Sequence, residues 1–158
     1  SSLDAGAFDH FFLPDAMIGE SLTTAIGSDL NGSIGTVPGT DSPGSASYIE
    51  MFTAANGAAP GPYSDYSYDA AAMTLLAMQA AGTKDSKVFK DKVFDIANAP
   101  GEKIYPGELA KGLEILAAGG DIDYVGATAV ELIGGGESAG SYREILVKDQ
   151  QNTTVRYR

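Results

Sequence analysis

The densest apolar run of the chain lies at 63–82, YSDYSYDAAAMTLLAMQAAG. From Tyr68 onward nearly every residue is apolar or small, and Ala70, Ala71, Ala72, Met73, Leu75, Leu76, Ala77, Met78, Ala80 and Ala81 leave no polar stripe. A helix that is apolar on most sides is buried on most sides, so this pattern predicts a central helix walled by the other elements. Ser64, Asp65 and Ser67 are candidate caps at its start, with Asp69 near the positive end of the helix dipole. Gly82 supplies the left-handed residue that stops it.

The same reading places the remaining elements. Residues 1–7 are small and polar, a frayed lead-in, and FDHFFL at 8–13 reads as a short buried strand closed by Pro14 and Asp15. A short helix at 20–26 is stopped by Gly27, and GSIGTV at 32–37 reads as a strand ending at Pro38 and Gly39. The loop TDSPGS has turn chemistry, and Pro43 and Ser45 open a helix with Ala46, Ile49, Phe52 and Ala55 along one side. After the central helix, 85–97 is amphipathic, with Val88, Phe89, Val93 and Ile96 inward and Lys87, Lys90 and Lys92 outward. NAPGEKIYPGE breaks it, and Pro106 begins a third helix carrying Leu109, Leu113 and Leu116. From 122 onward the vocabulary is that of strands: ATAVELI, a glycine-rich turn GGGESAG, YREILVK and TTVRY. Strands separated by helices over most of the chain predict an α/β fold.

Length and charge narrow the function classes. At 158 residues the chain is of one-domain length. A formal charge of −11 opposes nucleic acid and anionic membranes, so no nucleic-acid partner is expected. The absence of cysteine excludes disulfides, thiolate nucleophiles and zinc-thiolate sites. No apolar run approaches the roughly 20 residues of a membrane span. The sequence opens with SSLDAG and no Met, which reads as a processed protein or a piece of a longer one.

Three features invite a chemical reading. GESAG at 136–140 matches the G-x-S-x-G elbow that presents a nucleophilic serine, here Ser138. The elbow needs a following helix and a downstream histidine, whereas 142–148 reads as a strand and the only histidine, His10, lies upstream. A hairpin turn is the better reading, and no enzyme and no cofactor is expected. His10 has only Asp9 beside it and reads as a partly buried strand histidine. Glu102, Glu108, Asp121 and Asp123 fall at loops and helix ends, and GGDIDY is too sparse in oxygen ligands for a calcium loop. Asp15 stands apart, because it follows a strand at what would be the carboxyl end, where open α/β sheets bind ligands. A carboxylate there suits a ligand ammonium, and a cap on the next helix is the competing role.

The order of these pieces resembles a known family. LPDAMIGESL, GSIGTVPG, the helix GPYSDYSYDAAAM and the closing IDYVGATAVELIGGGESAGSYREILVKD together resemble the carboxyl-terminal portion of type I periplasmic solute-binding proteins. The nearest likeness is to the branched-chain amino acid (Leu/Ile/Val) binding proteins of ABC transporters. The resemblance covers 8–148, and the SYDAAAM and IDYVGAT segments carry most of it. Where that family has an aspartate-rich turn, this chain has IGGGESAG.

The resemblance implies a three-layer αβα fold with Rossmann-like lobes, incomplete in this chain because the amino-terminal half is missing. Residues 8–37 and 122–158 would belong to the second lobe and 43–119 mainly to the first. Asp15 would face the ligand's amino group, with Met17 and Ile18 after it on the cleft-side loop and Tyr66 and Tyr68 near the cleft. Thr36, Val37, Pro38, Gly39 and Thr40 would form a hinge crossing. The implied function is that of a fragment of a periplasmic, non-catalytic substrate-binding component. It would take up an amino acid or similar small solute and deliver it to the membrane permease of an ABC transporter. A ligand-sensing regulatory domain of the same fold is the alternative, with a small serine hydrolase using Ser138 behind it. Sheet edges and helix faces left without partners imply pairing with the missing half, self-association or rearrangement into a compact domain.

Overall fold

The computed structural model describes residues 5–158; residues 1–4 of the expected lead-in lie outside it, and residues 5–7 are exposed. In chain order, β1 (Phe12–Leu13), a 3-10 turn (Asp15–Met17), α1 (Glu20–Ile26) and β2 (Ile34–Pro38) lead into α2 (Pro43–Asn56) and α3 (Ser64–Ala81). Then follow α4 (Ser86–Phe89), α5 (Val93–Ile96), β3 (Glu102–Ile104), α6 (Leu109–Ala117) and β4 (Ile122–Tyr124). A small hairpin, β5 (Leu132–Gly134) and β6 (Glu137–Ser138), precedes β7 (Tyr142–Lys148) and β8 (Gln151–Tyr157). The chain divides into two compact units. The first holds the described residues up to Thr40 together with Gly140–Arg158, and the second is Asp41–Ala139.

The first unit is a four-stranded sheet in the order β1-β2-β7-β8, with β1 parallel to β2 and the other pairs antiparallel. Alternation along the strands puts Leu13, Gly35, Val37, Ile145 and Val147 on one buried face. There Leu13, Leu30 and Val147 form a core joined by Phe11, Ile18, Leu22 and Ile26. Gly35 is required by that packing, since a Cβ there would come within 2.7 Å of the Ile18 Cδ1. Gly27 ends α1 as read from the sequence. The strand expected over 8–13 contracts to Phe12–Leu13, because its partner β2 begins only at Ile34, after Gly32 turns the backbone at φ 88°. His10 is therefore exposed ahead of the strand.

The second unit is built against one side of α3. Ala72, Leu76 and Ala77 pack with Ile96, Ile104, Ile122 and Tyr124 into its core. Gly82, at φ 63°, ends α3 as expected. The expectation of burial on most sides fails: Leu75 is 48% exposed and Ala70 and Ala71 are exposed, because the walls stand on one side only. On α2 the buried residues are Gly44 and Tyr48 rather than Ala46, Ile49 and Ala55. The helix is turned this way because Gly44 lies against the Gly126 carbonyl, an approach no side chain allows. The amphipathic run at 85–97 is not one helix but α4, a 3-10 turn at Lys90–Lys92 and α5. Phe89, Val93 and Ile96 join the core while Val88 stays half exposed.

Two strands were hidden by their flanks or misplaced. β3 lies within NAPGEKIYPGE, where prolines and glycines on both sides mask a buried Ile104, and it pairs in parallel with β4 through the α6 crossover. The third helix accordingly begins at Leu109, not Pro106. Of ATAVELI only the end is strand, as β5, and 122–139 packs in the second unit rather than with the last strands. Both units are α/β, and the first carries its helix on one sheet face only, so a full three-layer arrangement is not reached there.

Gly44→Ala is expected to destabilise the protein by roughly 2 kcal/mol or more, since the added methyl meets rigid backbone rather than a yielding side chain. Urea unfolding reads this directly, and an unchanged midpoint would remove the close approach of α2 from the account.

Candidate functional site

The most constrained polar centre of the chain is Asp69, on the second turn of α3 and only 3% exposed. Its Oδ1 accepts from the Tyr124 hydroxyl and the Ala127 N–H, each at 2.8 Å. Its Oδ2 accepts from the Thr128 N–H at 2.8 Å and the Thr128 hydroxyl at 2.7 Å. A buried carboxylate is tolerated when donors satisfy it, and here backbone and side chains of the turn after β4 do so. Gly126 permits the closure: at φ 61° it sits where a Cβ would come within 2.6 Å of the Tyr124 ring. Burial, and then the negative charge of Asp69, push the Tyr124 hydroxyl far above its ordinary value. Asp69 is thus a tie between elements, not the dipole partner that its place in the helix implied.

Beside it, Tyr68 is half-buried, its ring 5.3 Å from that of Tyr48, which in turn lies 5.7 Å from Phe52. The Tyr68 hydroxyl accepts from the Gly107 N–H at 3.1 Å. Tyr66 is 37% exposed and meets Tyr63 at 6.4 Å. The two tyrosines therefore present different faces, one engaged in packing and one toward solvent.

The other candidates lie in the first unit. Asp15 is exposed in the 3-10 turn that follows Pro14, and its Oδ1 accepts from the Ala16 N–H at 2.8 Å. It does not cap α1, whose N-cap is Gly19. Met17 is 44% exposed, while Ile18 packs on the Leu13 core. Thr36, Val37 and Pro38 are in β2, opposite Glu144, Arg143 and Tyr142. Gly39 continues the pairing by donating to the Ser141 carbonyl at 3.0 Å, and Thr40 is the last residue before the chain enters the second unit. The return passage, at 139–140, has no signal of its own in the sequence; the GGGESAG stretch that contains it reads simply as a turn.

Glu144 takes charge-assisted hydrogen bonds from Arg156 and Arg158, which hold its carboxyl below the usual range. Ser138 is exposed in β6, and its hydroxyl donates to the carbonyls of Glu131 at 3.2 Å and Ala139 at 3.1 Å. His10 belongs to the other unit, and β6 is a hairpin strand rather than an elbow. An open cavity of about 210 Å³ in the second unit is lined by Lys92, Asp95, Leu116 and Gly120 among others, and by none of the expected ligand-binding residues. Among the described residues no group of three metal-ligating side chains is present, and no helix is long and apolar enough to cross a membrane.

Removing the Tyr124 hydroxyl by Tyr124→Phe is expected to cost about 1–2 kcal/mol, and Asp69→Asn, which turns an amide donor toward donors, roughly 3 kcal/mol. The raised tyrosine also predicts alkaline sensitivity. An unfolded tyrosine ionises near 10, whereas the folded one keeps its proton above that, so this stability is complete below pH 10 and falls as pH rises further. Unfolding free energies of both variants between pH 7 and 11 check the claim, and a Tyr124→Phe protein with the wild-type slope above pH 10 contradicts it.

No protein family matches the chain by sequence, and no curated protein does. Solved structures do resemble it. A leucine-binding protein, LivK, from Thermotoga maritima is similar over 98% of this chain and 39% of its own, with a TM-score of 0.69 at 16% identity. An ABC transporter substrate-binding protein from Desulfitobacterium hafniense is similar over 98% of this chain and 46% of its own, at a TM-score of 0.48 and 16% identity. The chain thus spans less than half the length of either protein. With the α/β units described above, this likeness identifies the architecture as part of a type I periplasmic-binding-protein fold.

Proposed function

We propose that the chain is the carboxyl-terminal portion of a substrate-binding component of an ABC transporter, located in the periplasm and handing its solute to a membrane permease. The solute is an amino acid or a close relative, and the protein does no chemistry on it. The observation that carries this reading is the fold likeness to a leucine-binding protein along 98% of the chain. Its agreement with the order of the LPDAMIGESL, SYDAAAM and IDYVGAT segments supports it further.

In this reading the two units are portions of the two lobes, and the passage of the chain at 36–40 is one hinge strand. Asp15 takes the ligand ammonium, because it is an exposed carboxylate on a short turn after a strand end, where open α/β sheets bind ligands. Met17 and Ile18 line the same loop, and Tyr66 and Tyr68 contribute from α3.

Calorimetric titration of the protein in its natural length with L-leucine and a panel of other amino acids tests the reading. Binding of at least one is expected, and Asp15→Asn should weaken it by roughly 2–4 kcal/mol, since the ligand's ammonium is left without its partner. No binding across the panel sinks the proposal. Binding that is unaltered in the variant keeps the transport reading and removes Asp15 from the site.

A further inference from the structure

At the start of β7 a guanidinium is drawn partly into the sheet of the first unit with no acid to meet it. Arg143 is half-buried and stands between Val37 of β2, which is buried, and Tyr157 of β8. Its stem lies across Gly39: a Cβ there would come within 2.9 Å of the Arg143 Nε and 3.2 Å of its Cδ. Glycine at 39 therefore leaves the backbone bare where the guanidinium rests. Among the described residues no carboxylate pairs with Arg143 and no carbonyl accepts from it, while the next residue, Glu144, takes both Arg156 and Arg158. The chain carries 21 acidic residues against ten basic ones, so this cation is not left unmatched for want of acids. A fork of donors held against apolar neighbours is costly until an anion completes it.

We infer that Arg143 is a specificity-determining residue that binds the side-chain carboxylate of the solute, so that the solute is an acidic amino acid rather than an aliphatic one. The inference deepens the transport reading and rests on it. Topology supplies the second half of the argument. β1 runs parallel to β2 and β7 antiparallel to it, so the turn after β1 and the start of β7 share one end of the sheet, with β2 between them. Asp15 and Arg143 thus approach that end from strands two spacings apart, about 10 Å. An ammonium and an α-carboxylate share a single carbon, whereas an ammonium and a side-chain carboxylate are separated by further bonds and suit the wider pair. The planar guanidinium can hold such a carboxylate by two parallel hydrogen bonds. A leucine side chain laid over it would strip its water and return no hydrogen bond, which discriminates against aliphatic solutes.

Calorimetric titration of the protein in its natural length tests the assignment, with L-glutamate and L-aspartate set against their amides, L-glutamine and L-asparagine, and against L-leucine. At least one acid is expected to bind tenfold or more tightly than its amide and than L-leucine. Arg143→Gln should weaken that acid at least thirtyfold while changing its amide less than threefold. Arg143→Lys, which keeps the charge and loses the fork, is the second variant should the first fail to fold, and it should weaken the acid at least threefold with the amide again unchanged. L-leucine bound as tightly as either acid overturns the inference. Equal weakening of acid and amide by Arg143→Gln also overturns it, since that result assigns Arg143 to the α-carboxylate. Amino acid binding that neither variant alters removes this inference and leaves the transport reading standing, whereas no binding across the panel removes both.

Discussion

The second unit depends on the hydrogen bonds of one buried carboxylate. Asp69 joins the start of α3 to the turn after β4, groups 55 to 59 residues apart in the chain. The Ala127 and Thr128 N–H groups would otherwise be left near a dry core without acceptors, and the carboxylate would be left there without donors, so each solves the other's burial. Once this tie is made, β4 is set against α3, β3 is set by β4, and α6 closes the crossover over Leu76 and Ile104. Gly126 and Gly44 follow from the same geometry, because the turn that serves Asp69 also presents the carbonyl against which α2 begins.

Local signals in the sequence predict the structure where local physics decides. α1 runs over 20–26 and stops at Gly27, and α3 stops at Gly82 with its left-handed cap, because a missing Cβ acts within a single turn. What failed was set by contacts distant in sequence. The rotation of α2 is fixed by Gly44 meeting a loop more than eighty residues away, and no periodicity in PGSASYIEMFTAAN announces it. β1 is short because β2 is, and β3 is a strand because Ile122 and Tyr124 lie beside it. Asp69 does carry one trace in the sequence: an acid within the second turn of a helix, at the head of its apolar run, requires donors, and Tyr124 and Thr128 supply them from the IDYVGAT segment.

The resemblance lies along the same tie. The two segments that carried it, SYDAAAM and IDYVGAT, are the two that Asp69 ties together. A buried polar tie restricts sequence more than an apolar contact does, since few residue sets satisfy the same donors. The candidate ligand-binding residues have no comparable signature. Asp15, Met17 and Ile18 sit on one unit and Tyr66 and Tyr68 on the other, in turns and helix starts that tolerate many residues.

The central claim is that this chain is one portion of a two-lobed solute-binding fold. Native mass spectrometry of the protein isolated from its source tests it most directly, by reading chain mass and bound solute in the same spectrum. The account predicts a chain well above 16.3 kDa that carries one small solute per copy. A lone 16.3 kDa chain that holds an amino acid by itself would contradict it.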